Sequence, residues 1–500
     1  MCGVLPARML EAHNDLLHLA LALACGRRAP PVVAWLHRCA GIPEGSPLPP
    51  IPAGFEDDER AVDVVLEQMW RSRPREERTL LGQVFTPRPV ARQVLLEAGV
   101  RPEGRVVDPA CGGGIFLVEA AAQLRQTLVA DGVAPERIAR AVIDHVVGVD
   151  VDTAACRLAR LLVGLEAARA LDGLDDLSVL DQLPEPHVLQ ADATDPLTQE
   201  RLLQLEPRWV VGNPPYLEAK RMPKDLRRRL RERYGHRLEG AFDYYMVFVW
   251  LALELVGEGG RVGLVLPNKV QVARYAASLR AHLVLTEQLV ALIDLSELDV
   301  FKQVGVYPVI VILGPSPGSF RACFRQPALD ELGQAPLGGA TVSLELVRAL
   351  MEPPVWFTLP DGALPGLLAR LVAQLPRLEE VAQVRSTCSF HKRGLREQYI
   401  HPGPQLPDGL PYLGGQSYAR RNEVRPYQVD WQGFRIHYAA EELRSRGNSL
   451  PPLEIFTRPK IVICQHARSL VAWCDVEGRF VTKDVFPVVL PHVDTACAAA

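Results

Sequence analysis

A parallel α/β sheet with helices on both faces is the fold class that this 500-residue sequence predicts. Two observations predict it. Between Arg105 and Leu313, short apolar runs alternate with segments of helical periodicity: RVVD, VVGVDVD, HVLQAD, WVVGNPP, GRVGLVLP, LVALIDL and VYPVIVIL. Three consecutive glycines, Gly112 to Gly114, then follow closely on the first run and turn it into a helix.

Around this centre the texture changes. Residues 1–80 read as helices broken by the Pro/Gly segment GIPEGSPLPPIPAGF. The stretch LLHLALALACG near the start has the look of a signal core. Glu11 and Asp15 precede it in place of a basic region, however, and His18 interrupts it, so an amphipathic helix is the better reading. GPSPGS near residue 316 reads as a linker closing a central domain at 81–330. Beyond residue 335, PKIVICQH and SLVAWCDVEGRFVT read as strands of a mixed second domain, 335–500. DTACAAA at the end begins a helix pattern without a stop signal, which suggests a truncated domain or a fraying helix.

Composition sets the bounds. The chain is 48% hydrophobic and 23% charged with a net charge of -4, as in ordinary globular proteins. No global positive field marks it for nucleic acid, although a local basic patch suffices for that. Ten cysteines form no C-x-x-C pair, so a disulfide framework or zinc site has little support. Reduced thiols in a cytoplasmic protein are the simpler reading. No apolar run reaches the roughly 20 residues of a membrane span.

The strand ends carry the chemistry. Asp108 closes the first strand and precedes the glycine turn in the order Asp-x-x-x-Gly-x-Gly, through Gly112 and Gly114. This is not the dinucleotide fingerprint G-x-G-x-x-G. An acid here repels phosphate and suits a ligand with an ammonium group. The second strand ends at Asp150, where an acid typically accepts from ribose hydroxyls. The spacing from the glycines is long, so an extra helix must intervene, and APERIARAVI can supply it. Asp192 ends the third strand, where it can accept from the exocyclic amine of an adenine. Each acid taken singly is a common loop-start carboxylate. Together they line one rim of the sheet and point to a nucleoside with an amino-acid tail, S-adenosyl-L-methionine.

Asn213-Pro214-Pro215-Tyr216 forms an elbow at the fourth strand end. The prolines fix φ and remove two N–H donors, so the elbow presents acceptors: the Asn213 side-chain carbonyl and the Pro214 backbone carbonyl. Two acceptors in a rigid frame suit an –NH2 group, and Tyr216 offers a flat face to a planar ring. Accepting both hydrogens would shift a ring-conjugated nitrogen toward sp³ and free its lone pair. The bland alternative is a plain turn.

In this order the residues resemble the amino-methyltransferase family, and in particular gamma-type N6-adenine DNA methyltransferases of the type IIG restriction–modification kind. The resemblance runs from about Leu81 to Leu313. GQVFTPRPVA is similar to the family's N-terminal cofactor motif and sets Thr86 and Pro87 near the methionine end. DPACGGGIFL, containing Asp108, Ala110, Gly112 and Gly114, is close to the usual cofactor loop, with Gly113 where serine is commoner. GAFDYYMVFVW resembles the family's Asp-Leu-Tyr motif, with Tyr244 in the leucine position. LDVFKQVGVYPVIVIL is similar to the family's closing motif, and the resemblance implies that Phe301 packs on the far side of a flipped base from Tyr216.

The resemblance implies a Rossmann-like S-adenosylmethionine-dependent methyltransferase domain, an N-terminal helical segment and a C-terminal mixed α/β target-recognition domain. It implies a chain that binds S-adenosyl-L-methionine, flips an adenine from double-stranded DNA and methylates N6. No lysine precedes Lys220, so no Glu-x-Lys nuclease motif lies upstream and no cleavage by this chain is expected. A separate nuclease or defence-system partner stays open, and a monomer is expected. From Lys220 to Arg237 there are nine Lys/Arg residues, read either as a solvated helix face or as a grip on DNA phosphates. SFHKRGLR (389–396) and YARRNEVRP (418–426) are further candidate contacts. The same elbow also serves glutamine and ribosomal RNA methylation, and a non-catalytic recognition module is the alternative outside enzymes.

Overall fold

The computed structural model describes residues 7–489, apart from 26–27, 50–57, 73, 75–81, 83, 239, 297, 299–306, 324–327, 351–353, 359–363, 386–387, 389–395, 414–423, 426–427, 430, 432, 447–449, 465–471 and 483–484. The chain divides into two compact units, Met1–Ala369 and Arg370–Ala500.

The first unit opens with helices α1 (Ala7–Cys25), α2 (Pro30–Ala40), α3 (Asp58–Ser72) and α4 (Arg88–Ala98). Then follow β1 (Val106–Asp108), α5 (Ile115–Ala130), α6 (Pro135–His145), β2 (Val146–Asp150), α7 (Thr153–Arg169), β3 (His187–Gln190), α8 (Pro196–Leu203) and β4 (Trp209–Gly212). The helix inferred from the long gap before Asp150 is α6. Helices α9 (Lys224–Tyr234) and α10 (Tyr245–Leu255) precede β5 (Arg261–Pro267), β6 (Leu289–Asp294), β7 (Pro308–Leu313), β8 (Ser319–Cys323) and β9 (Ala340–Ser343).

These strands form one sheet in the order β3-β2-β1-β4-β5-β7-β6-β8-β9. The first five run parallel, and β7 enters antiparallel between β5 and β6. Strand β7 is buried throughout, and β5 at all but its first residue. Helices on both faces explain why these strands read as unbroken apolar runs instead of alternating ones. Turn chemistry starts the helices: proline occupies the first turn of α2, α4, α6 and α8, while Asp152 and Asp195 cap α7 and α8.

Two expected boundaries move. The helices before residue 80 are no separate segment, because Leu21, Trp35, Leu36 and Cys39 share one core with Leu158, Leu161 and Leu162 of α7. Nor is the segment at 316 a linker. Gly314 N–H donates to Gln288 O, and Ser316 bonds to Glu287 and Ser319, tying a tight connection from β7 to β8. The sheet continues to β9 and the unit to Ala369. Pro and Gly mark both tight turns and linkers, and only packing separates the two.

The second unit is a mixed one, as expected. Its strands are β10 (Gln383–Val384), β11 (Ile400–Pro402), β12 (Leu410–Leu413), β13 (Val424–Arg425), β14 (Gln428–Val429), β15 (Phe434–Ile436), β16 (Lys460–Cys464), β17 (Ala472–Asp475), β18 (Val481–Thr482) and β19 (Val485–Val489). They form sheets β10-β19-β16-β17 and β11-β15-β12-β18 and the small pair β13-β14. The runs PKIVICQH and SLVAWCDV pair antiparallel as β16 and β17. Among the described residues, no helix is long and apolar enough to cross a membrane.

Candidate cofactor cavity and elbow

A cavity of about 390 Å³ opens at the carboxyl ends of β1, β2, β3 and β4. Ligands of open α/β sheets bind at this edge. Thr86, Asp108, Ala110, Gly112, Asp150, Asp192, Asn213 and Pro215 line it, so the structure brings together most of the residues selected from sequence.

Asp108 is 1% exposed. Its Oδ1 accepts from the Ala110 N–H at 3.0 Å, while Oδ2 is buried without a hydrogen-bond partner. Burial pushes its carboxyl up to about 8, the Ala110 bond opposes this, and the nearby Asp150 charge adds to it. A buried acceptor left open is costly in an empty protein and is relieved by a ligand that donates. Gly212 of the adjacent strand allows this placement: its φ is 155°, and a Cβ there would lie 2.6 Å from Asp108 Oδ1. No sequence signal singled out Gly212 as part of the site.

Asp150 is bonded to the backbone of the loops around it. Its Oδ2 accepts from Gly112 N–H at 2.8 Å and its Oδ1 from Asp152 N–H at 2.9 Å, so it shapes the glycine loop that faces the ligand space. Asp192 accepts through Oδ1 from the N–H and hydroxyl of Thr194 at 2.8 and 2.7 Å. Tyr244 lines the cavity beside it, edge-on to Phe248 with ring centroids 5.2 Å apart. Gly114 belongs to the loop but not to the wall. It packs on α7, where a Cβ would meet Ala159 at 2.8 Å. Pro87 is buried at the start of α4 and does not line the cavity.

The elbow is tied to the segment before α4. Tyr216 N–H donates to Gly82 O at 2.9 Å, and Asn213 Nδ2 donates to Thr86 Oγ1 at 2.9 Å. Pro214 and Tyr216 lie outside the cavity wall. The Tyr216 hydroxyl stands 2.6 Å from Asn213 Oδ1 and 2.9 Å from Val265 O, and with one proton it donates to one of them at a time. Its ring meets Tyr245 edge-on at 6.2 Å. Beyond the elbow, Asp243 Oδ1 accepts from Leu217 N–H at 2.8 Å, and burial raises its carboxyl to about 6 against several backbone N–H groups. Asp243 thus anchors the elbow's exit, a role that the sequence reading did not assign. Phe301 lies outside the described residues.

The basic run is largely committed within the protein. Lys220 pairs with Glu218, Arg228 with Asp225, and both Arg233 and Arg237 with Glu254. Arg227 and Arg231 donate to backbone carbonyls. Arg221, Lys224 and Arg229 are exposed and make no ion pair among the described residues. Of the other candidate contacts, only Arg396 in 389–396 and Val424–Arg425 in 418–426 are described.

Cys111, in the glycine loop, is buried with its thiol raised well above the usual range by burial and by Asp150 and Asp108, which makes it a packing residue and not a nucleophile.

Comparison with known proteins agrees with this geometry. Residues 144–301 match the Eco57I restriction-modification methylase family. The chain is 25% identical over 396 residues to the type II methyltransferase M.XhoI of Xanthomonas vasicola, covering 72% of this chain and 67% of that one. It is 28% identical over 213 residues to the type II methyltransferase M.BstVI of Geobacillus stearothermophilus, covering 42% of this chain and 36% of the relative. In solved structures, the type IIL restriction-modification enzyme MmeI, seen in complex with DNA, superposes with a TM-score of 0.53 at 12% identity, covering 97% of this chain and 74% of that one.

S-adenosyl-L-methionine is the expected cofactor of such a fold, and the residues present fit it: an open buried acceptor at Asp108, carboxylates at Asp150 and Asp192, and apolar walls between them. Residues 144–301 are thus similar to the Eco57I restriction-modification methylases, and the fold and the cavity agree with that match.

Proposed function

We propose that the chain methylates N6 of an adenine flipped out of duplex DNA, as the modification activity of a restriction–modification or phage-defence system. The observation that carries this reading is the set of groups around one cavity: Asp192, Asp150, Asp108 with its open oxygen, and Asn213, at the carboxyl ends of four neighbouring parallel strands. When bound, S-adenosylmethionine supplies an activated methyl group, so the protein's task is alignment.

In this reading Asn213 Oδ1 and the Pro214 carbonyl receive the two hydrogens of the adenine amine. The Tyr216 hydroxyl has Val265 O as a second acceptor, so it can leave Asn213 Oδ1 to the amine without losing its own hydrogen bond. Thr86 fixes the other end of the Asn213 amide. Arg221, Lys224 and Arg229 are the phosphate contacts. The second unit carries target recognition, and its presence favours DNA over a protein glutamine. The type II relatives favour DNA as well.

Incubation with DNA and labelled cofactor, followed by modification-sensitive sequencing, tests the reading. N6-methyladenine in a defined context is expected, and its absence with folded, cofactor-bound protein would overturn it. Asn213→Ala should lower transfer by about 10² to 10³ while cofactor affinity is unchanged. Equal loss of both contradicts the role given to Asn213.

A further inference from the structure

Helix α3 belongs, by sequence, to a segment with no assigned part in the site. In the structure its Leu66, Met69 and Trp70, spaced i, i+3 and i+4 on one face, line the cavity. Leu66 and Met69 are buried. The Trp70 ring lies 6.2 Å from that of Phe85, tilted by 45°. Phe85 precedes Thr86, which holds the Asn213 amide. Toward the other end, Leu66 rests on the glycine loop, where a Cβ on Gly113 would come within 2.5 Å of Leu66 Cδ2.

Gly113 is informative. Gly112 and Gly114 have φ of 53° and 89°, conformations that favour glycine for backbone reasons. Gly113 has no such φ. What its missing side chain leaves room for is Leu66. The departure from serine at this position and the presence of α3 are therefore two sides of one contact.

We propose that α3 is a wall of the S-adenosylmethionine site, with Leu66, Met69 and Trp70 packing against the bound cofactor opposite the acids. This rests on the cofactor reading of the cavity. An apolar wall excludes water, and the hydrogen bonds offered by Asp108, Asp150 and Asp192 gain strength in the drier space.

The test uses the full chain and two ligands, S-adenosylmethionine and S-adenosylhomocysteine, with calorimetry for affinity and tryptophan fluorescence for proximity. The chain has seven tryptophans, so Trp70→Phe is the reference that isolates one of them. Ligand is expected to change the fluorescence of the unaltered protein, with most of that change lost in Trp70→Phe. Leu66→Ala should weaken affinity about tenfold. Gly113→Ser should also weaken it, by displacing Leu66, and the double change Leu66→Ala with Gly113→Ser should bind better than Gly113→Ser alone.

If the unaltered protein binds neither ligand, the cofactor reading fails. If it binds, but Trp70→Phe keeps the full fluorescence change and the changes at 66 and 113 are additive, the cofactor reading stands and the wall is overturned. Trp70→Phe is mild enough to keep the fold, so the fluorescence outcome decides even if Leu66→Ala does not fold.

Discussion

Asp108 at the rim of the first sheet and Asp475 in the second unit are each 1% exposed, yet the protein treats them in opposite ways. Asp475 is fully engaged. The buried Lys460 ammonium donates to its Oδ2, and the N–H groups of Arg479 and Phe480 donate to Oδ1 and Oδ2 at 3.0 Å each. Lys460 also donates to Phe456 O at 2.7 Å. Asp108 has one bond, to Ala110, and an open oxygen. A carboxylate with both oxygens engaged organises its own unit and has little left for a ligand. A carboxylate buried half-satisfied carries a cost that only a ligand removes, which makes it the better marker of a site.

The largest effect that can break this contrast is at Asp475. Asp475→Ala leaves the Lys460 charge buried without its partner and should cost about 3–5 kcal/mol. Chemical denaturation of the full chain checks it through the transition of the second unit. A cost below about 1 kcal/mol would mean that the pair is no more structural than a surface ion pair.

Asp108→Asn should do the reverse. It keeps the shape and the bond to Ala110 and removes a carboxyl whose ionisation burial opposes in the empty protein. Stability is expected to be unchanged or raised, while affinity for S-adenosylmethionine falls about tenfold to a hundredfold, measured by calorimetry beside a thermal melt. Loss of stability with retained affinity would make Asp108 a structural acid like Asp475.

The contrast also has a pH signature. Burial, first, and Asp150, second, raise the folded carboxyl of Asp108 to about 8, opposed by the Ala110 bond. The folded chain therefore holds this proton more tightly than the unfolded chain, whose Asp titrates near about 3.9. The contribution to stability is full below the unfolded value and is lost as pH rises toward about 8. Asp108→Asn should thus gain on the unaltered protein between about pH 4 and 8. A ligand that brings an ammonium group favours the ionised acid, so its binding near neutral pH should release a proton. Calorimetry in two buffers of different ionisation enthalpy reads that proton directly, and no release would show that the open oxygen does not meet the cation.

How much of this could be read from sequence follows the same division. Asp108, Asp150, Asp192 and Asn213 each end a strand just before a glycine turn, a capped helix or a proline pair, and such local signals survive without tertiary context. The glycine spacing marks VVDPACGG and not AWCDVEGR, but nothing local says which acid is left open, since each is a strand ending in Asp before a turn. The cross-strand register of Lys460 with Asp475 distinguishes them, and register is a property of two segments. Helix α3 was legible as a helix but not as part of the site, because its partner Gly113 lies beyond another helix and the first strand. The linker placed at 316 failed for a related reason: GPSPGS looks the same whether it ends a domain or turns a strand inside one.

The smallest expected effect concerns charge that is offered outward instead of inward. Arg229 lies on the face of α9 that continues from Pro223 and Leu226, both of which line the cavity, and it acts electrostatically on Tyr244 there. Unlike Arg233 and Arg237, it makes no ion pair with Glu254 or any other described acid. If it meets a DNA phosphate, Arg229→Gln should weaken binding to all duplexes alike and lower the slope of log affinity against log salt by about one. Arg233→Gln should leave the slope unchanged, since its charge is already met by Glu254. Equal slopes for the two variants would return the basic run to a solvated helix face, and the cofactor site would stand without it.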